Sequence, residues 1–142
     1  MDMPSCHHYH FLIKQTKDNG TKDFIGNLQN GYAKYFNKRN ERHGSLFCSG
    51  FKAKLVGNED EWLHILRYIE LNPVTSKIIP VNSLETYPHT SFRYRYSEEK
   101  NAFTSNGMVH GRFGSFEEYR DFVYNQAAYQ IHLREIKHLL VD

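Results

Sequence analysis

With 142 residues, 39% of them apolar and 15% aromatic, the chain is long enough for one domain with its own core and is globular rather than disordered in composition. A net charge of +2 excludes nucleic-acid recognition by bulk charge alone. No run approaches the roughly eighteen apolar residues of a membrane span, and no charged segment leads into an apolar one as a secretory leader requires. Cys6 and Cys48 form no CxxC, so reduced thiols and a cytoplasmic setting, with no membrane partner, are the expectation.

In chain order, residues 8–15 alternate imperfectly around an apolar middle, as a strand does. Asp18-Asn19-Gly20 marks a turn. Over residues 21–40 the spacing of Phe24, Leu28, Tyr32, Tyr35 and Phe36 predicts a helix, weakened by Gly26 and Gly31 at about 1 kcal/mol each relative to alanine. His43-Gly44-Ser45 breaks that pattern, and residues 46–56 read as β structure with a turn or bulge at Ser49-Gly50. Residues 58–72 form the clearest predicted helix. Asn58 and Glu61 make a capping box, Trp62, Ile65, Leu66 and Ile69 its apolar face, and Pro73 its expected stop. After a loop-rich stretch, Ser115 and Glu118 open a predicted last long helix carrying Phe116, Tyr119, Phe122, Val123, Ile131, Leu133, Ile136 and Leu140. No internal repeat is present.

Two groups of residues carry chemistry. In a strand, His8 and His10 point to one face while His7 and Tyr9 point to the other, which leaves two imidazoles about 7 Å apart by strand rise, within reach of one divalent ion. An isolated HxH fits a solvated pair or a tag remnant equally well. In the helix EDEWLHILRYIELNPV, Tyr68 and Asn72 lie one turn apart at the edge of the apolar stripe. A tyrosine hydroxyl there is a competent nucleophile toward phosphorus, and an asparagine oxygen can ligate or orient. A boundary aromatic and a helix-end asparagine are the bland alternative. Lys34, Lys38, Arg39, Arg42, Lys52 and Lys54 lie among Tyr32, Tyr35, Phe36, Phe47 and Phe51, a mixture that suits a phosphate backbone with unstacked bases, or simply a solvated surface.

Taken together and in this order, HHYHFLIKQ, GYAKYFNKRNERHGSLFCSGFKAKLV and RYIELNPV resemble the single-tyrosine transposases with an HUH (His-hydrophobic-His) motif, and most closely the REP-associated tyrosine transposases. The resemblance covers roughly residues 4–95, and GRFGSFEEYRDFV is similar to the C-terminal extension of some members. It implies an α+β fold, a small antiparallel sheet with helices on one face in a truncated ferredoxin-like HUH domain over residues 1–96, followed by a linker and helical extension over residues 97–142. It also implies His8, His10 and Asn72 as ligands of Mg2+ or Mn2+, Tyr68 as the nucleophile that forms a 5′-phosphotyrosine intermediate, and Lys34, Lys38, Arg39, Lys52 and Lys54 as contacts to single-stranded or hairpin DNA. The chain departs from the family pattern in two ways. His7 stands where asparagine is usual, and the strand, helix and further strand that normally precede the HxH are missing. A partial catalytic domain, completed through a homodimer or reduced to DNA binding alone, is therefore expected. A small non-catalytic structural protein is the alternative from another class.

Overall fold

In the computed structural model, which describes residues 8–47, 50–97 and 104–139, all regular structure is helical. The helices are α1 (Gly20–Arg39), α2 (Glu59–Thr75), α3 (Gly107–Arg112), α4 (Phe116–Tyr124) and α5 (Ala127–Leu139), with short 3-10 turns at Val81–Ser83 and Phe92–Tyr94. The expected antiparallel sheet of an α+β domain is absent among the described residues, where no residue lies in a strand. Residues 8–15 and 46–56 have strand-like sequence without ladder partners among the described residues. Alternation dictates which side chains would suit a pleated surface, but a strand also needs another segment to take its backbone hydrogen bonds, and that condition is non-local. The local habit persists: His8 faces His10 and Tyr9 faces Phe11, each pair two residues apart with ring centroids at 4.8 and 5.1 Å. Cys6, His7 and Cys48, singled out above, lie outside the described residues.

The chain divides into two compact units, Met1–Phe11 with Gly57–Asp142, and Leu12–Val56. The second unit is built on α1. Asn19 leads into it in the left-handed conformation (φ 57°), and Ile25 is its buried residue. The predicted apolar face is largely exposed. Tyr32 nevertheless gathers Tyr35, Phe36 and Phe47 around it, with ring centroids 6.1–6.4 Å away.

The first unit holds the core. Two of its helices start by the same device. Asn58 Oδ1 accepts from the Glu61 amide at 2.9 Å while Glu61 Oε2 accepts from the Gly57 amide at 2.8 Å. At α4, Ser115 Oγ accepts from the Glu118 amide at 3.2 Å and Glu118 Oε2 accepts from the Gly114 amide at 2.8 Å. Each satisfies amides that the first helical turn leaves without partners.

Pro73 does not stop α2, which runs on to Thr75. Proline removes one amide donor but leaves the following ones intact, and burial of Pro73, Val74 and Thr75 holds the extra half-turn in place. The helix ends instead at Lys77, at φ 56°, where the Lys77 amide donates to Val74 O at 3.0 Å and the Ile78 amide to Pro73 O at 2.9 Å. This is a Schellman arrangement with lysine in the usual glycine place. The predicted long last helix is likewise broken, into α4 and α5, at Asn125 and Gln126.

α2 packs against α4 and α5. Its buried face is Leu66, Arg67, Glu70, Leu71 and Val74, rotated from the predicted Trp62–Ile65–Leu66–Ile69 stripe, of which only Leu66 is fully buried. Around it lies an aromatic core. Phe92 stacks on Tyr119 at 5.4 Å and on Tyr124 at 5.9 Å, and Phe113 meets Tyr119 at 5.3 Å and Phe122 at 4.8 Å. The helices of residues 107–139 thus belong to the same compact unit as α2.

Candidate active site

α2 turns Tyr68 away from its buried face. Glu70 and Leu66 point into the core about 160–200° around the helix from Tyr68, and Tyr68 remains 45% exposed. The His10 ring packs edge-on against Tyr68, with centroids 5.5 Å apart and planes at 76°. His8 meets His10 in a second perpendicular contact at 4.8 Å and 86°. Three of the residues picked out by spacing alone are therefore contiguous, although they are about sixty positions apart in the chain. Partial burial of its ring, and secondarily the charge of His8, push the His10 pKa below its ordinary 6.5. The imidazole is accordingly neutral over a wider pH range, and neutral imidazole is the form that ligates metals.

Asn72 lies one turn after Tyr68, about 40° around the helix. Its Oδ1 receives only a long hydrogen bond from Ser76 Oγ, at 3.5 Å, and its buried Nδ2 has no partner among the described residues. Among the described residues no group of three or more His, Cys, Asp or Glu side chains could hold a metal ion. Two imidazoles and one weakly engaged amide fall short of the six ligands of Mg2+ or Mn2+. An ion held there would have to take most of its ligands from water or from substrate oxygens.

The basic candidates all belong to the unit Leu12–Val56, where Lys34, Lys38, Arg39, Lys52 and Lys54 are exposed. Arg39 joins the aromatic group, donating from a terminal nitrogen to the Tyr35 hydroxyl at 2.6 Å with its guanidinium 6.0 Å from that ring's centroid. Lys34 and Lys38 share a different face of α1, more than about 100° from Tyr32. The lysines and the Tyr32 ring that the sequence interleaves thus lie on different faces of α1, with Arg39 on the aromatic side.

Sequence reasoning missed the charged cluster behind Tyr68. Glu70 is wholly buried, and its Oε1 accepts from Ser91 Oγ at 2.6 Å, Arg95 Nε at 3.2 Å and the Tyr119 hydroxyl at 3.0 Å. Arg67 Nε donates to Phe122 O at 2.8 Å. Helical periodicity scored on apolar residues treats both as solvated. The available signal was their i, i+3 spacing on one face, in phase with Leu66 and Val74.

No helix among the described residues is long and apolar enough to cross a membrane. No curated protein and no solved structure matches the chain. A family model described as "Transposase IS200 like" matches residues 5–72, which includes His8, His10, Tyr68 and Asn72. Over that segment the chain is similar to the IS200-like transposases.

Proposed function

We propose that this chain is a metal-assisted tyrosine transposase and single-strand endonuclease acting on single-stranded or hairpin DNA. The family match over residues 5–72 supports transposition and DNA binding in general. The observation that carries the finer reading is the perpendicular packing of the Tyr68 ring against His10, itself paired with His8. Mg2+ or Mn2+ would be held by His8, His10 and Asn72 and would supply positive charge at the non-bridging oxygens of the scissile phosphate. Tyr68 Oη attacks phosphorus. The new bond is a 5′-phosphotyrosine, the P–O3′ bond breaks, and the proton lost by the phenol is balanced by the one taken up at the departing 3′-oxygen. The phosphodiester energy is retained in the tyrosyl link, so rejoining needs no nucleotide cofactor. Arg39 and the Tyr32 group stack on unpaired bases, while Lys34, Lys38, Lys52 and Lys54 hold backbone phosphates.

The test is incubation with single-stranded hairpin DNA and Mn2+, followed by a denaturing gel. A covalent protein–DNA band that disappears in Tyr68→Phe and weakens in His10→Ala is the expected result. A band that persists in Tyr68→Phe would sink the assignment of Tyr68. Salt-sensitive binding without any band favours a second reading, a DNA-binding relative without catalysis, which draws on the exposed basic and aromatic residues of the unit Leu12–Val56.

A further inference from the structure

α2 buries two charged side chains, Arg67 about 100° and Glu70 about 160° around the helix from Tyr68. Charged residues are almost never buried unless they are paired, yet Glu70 is 0% and Arg67 8% exposed. Both are tied to the part of the chain that follows α2. One oxygen of Glu70 takes three donors, from Ser91, Arg95 and Tyr119. Arg67 donates to the Phe122 carbonyl and lays its guanidinium 3.9 Å from the Phe122 ring centroid. Ser91 and Arg95 are bound to each other as well, at 3.0 Å, and Arg95 reaches on to Ser105 O and Asn106 Oδ1 at 3.3 Å each.

Apolar packing alone holds a helix against its neighbours without fixing its rotation, because hydrophobic contact is non-directional. Hydrogen bonds demand both distance and angle. Two such anchors three residues apart on one face oppose any roll of α2 about its axis. Tyr68 is nearly opposite Glu70, with its hydroxyl several ångströms beyond a helix radius of about 2.3 Å, so a roll of about 10° displaces that hydroxyl by roughly 1 Å. A misplacement of that size at a reacting group costs on the order of a hundredfold in rate.

We infer that Glu70 is a positioning residue for Tyr68: held by Ser91, Arg95 and Tyr119, with Arg67 on Phe122 as a second anchor, it sets the rotation of α2 at which Tyr68 meets His10. The kinetic consequence rests on Tyr68 being the nucleophile. The geometric one, the 5.5 Å contact of Tyr68 with His10, does not. The helices after residue 104 are thereby part of the machinery that aims Tyr68, although they lie outside the matched family segment.

The experiment uses the full chain and two readouts. The first is the NMR position of the His10 ring protons, which the facing Tyr68 ring shifts, with Tyr68→Leu providing the endpoint. The second is the rate of adduct formation at saturating hairpin DNA in Mn2+, alongside the Kd for that DNA. The variant Ser91→Ala with Tyr119→Phe removes two donors and leaves the Arg95–Glu70 ion pair in place; Ser91→Ala alone serves if the double variant does not fold. Glu70→Gln keeps an acceptor oxygen and serves as the conservative variant. In the folded donor variant, the His10 signals move at least halfway to the Tyr68→Leu endpoint, and the adduct rate falls ten- to a hundredfold at unchanged Kd. Glu70→Gln stays closer to wild type in both. A folded donor variant with lower thermal stability but wild-type His10 signals overturns the inference, since it would then act on stability alone. If Tyr68→Phe forms adduct normally, the nucleophile assignment is lost, and the His10 signals still decide the positioning role.

Discussion

Replacing Arg95 by methionine strips the partner charge from Glu70 while keeping most of the aliphatic stem. The arginine is 9% exposed, and the change removes its bonds to Glu70, Ser91, Ser105 and Asn106 together. Glu70 is left wholly buried, with two neutral donors, Ser91 and Tyr119, and with Oε2 unpartnered as before. Removing one partner of a buried ion pair costs about 3–5 kcal/mol, mostly as the burden of an uncompensated charge. In a compact unit of just under a hundred residues, each kcal/mol moves the midpoint by about 4–8 °C, so Arg95→Met should lower Tm by at least about 12 °C. Thermal unfolding followed by circular dichroism, with urea midpoints at constant m-value, measures it. Adding Glu70→Gln to Arg95→Met should recover more than half of the loss, because the isolated charge is gone. A drop below about 1 kcal/mol for Arg95→Met, or a double variant in which the two losses simply add, would refute the assignment of this pair as a buried, coupled anchor.

Other outcomes follow from single sites. Burial first, and then the charge of Glu70, raise the Tyr119 phenol far above its ordinary 10. The stabilisation from keeping this proton is complete below pH 10 and is lost as pH rises through the folded-state pKa, so the stability gap between wild type and Tyr119→Phe should be level from pH 7 to 9 and narrow above pH 10. Parallel urea midpoints up to pH 11 would contradict it. In α1, Gly26 and Gly31 have nothing within 4 Å of the space a Cβ would fill. Gly31→Ala should therefore raise stability by up to about 1 kcal/mol, and a loss in urea unfolding would mean that this face of α1 is covered. If Lys52 and Lys54 each neutralise one phosphate of a single strand, replacing both by glutamine should flatten the slope of log K against log salt by about 1.4, as read by fluorescence anisotropy. An unchanged slope would remove both from the interface.

Much of the helical framework was legible because its signals are local. The Asn58–Glu61 and Ser115–Glu118 pairs announced the starts of α2 and α4, and each makes the side-chain cap that its spacing implied. The register of Tyr68 and Asn72 on one edge of α2 also follows from helical pitch alone. The end of α2 was misjudged, since Pro73 bars only its own amide and the burial of the residues around it decides whether the helix continues. The break between α4 and α5 was missed because Asn125 and Gln126 include no glycine or proline to mark a stop. The buried faces of α2 and α1 were misjudged in opposite senses. Arg67 and Glu70 are inside because partners distant in sequence meet their charges, and Tyr32 and Tyr35 are outside because no other helix among the described residues covers them within their unit.

By itself the sequence determined where α1, α2 and α4 begin, and the likeness of residues 5–72 to the IS200-like transposases. These are matters of residue type and short spacing, and both are written along the chain. Only the tertiary structure decided that strand-like segments at residues 8–15 and 46–56 form no sheet among the described residues, since pairing needs a second segment at the right place. It also decided that His10 lies against Tyr68, and that Glu70, Arg95 and Tyr119 close behind the same helix. Those contacts join residues 25 to 58 positions apart, and their energies depend on burial, which no local pattern specifies.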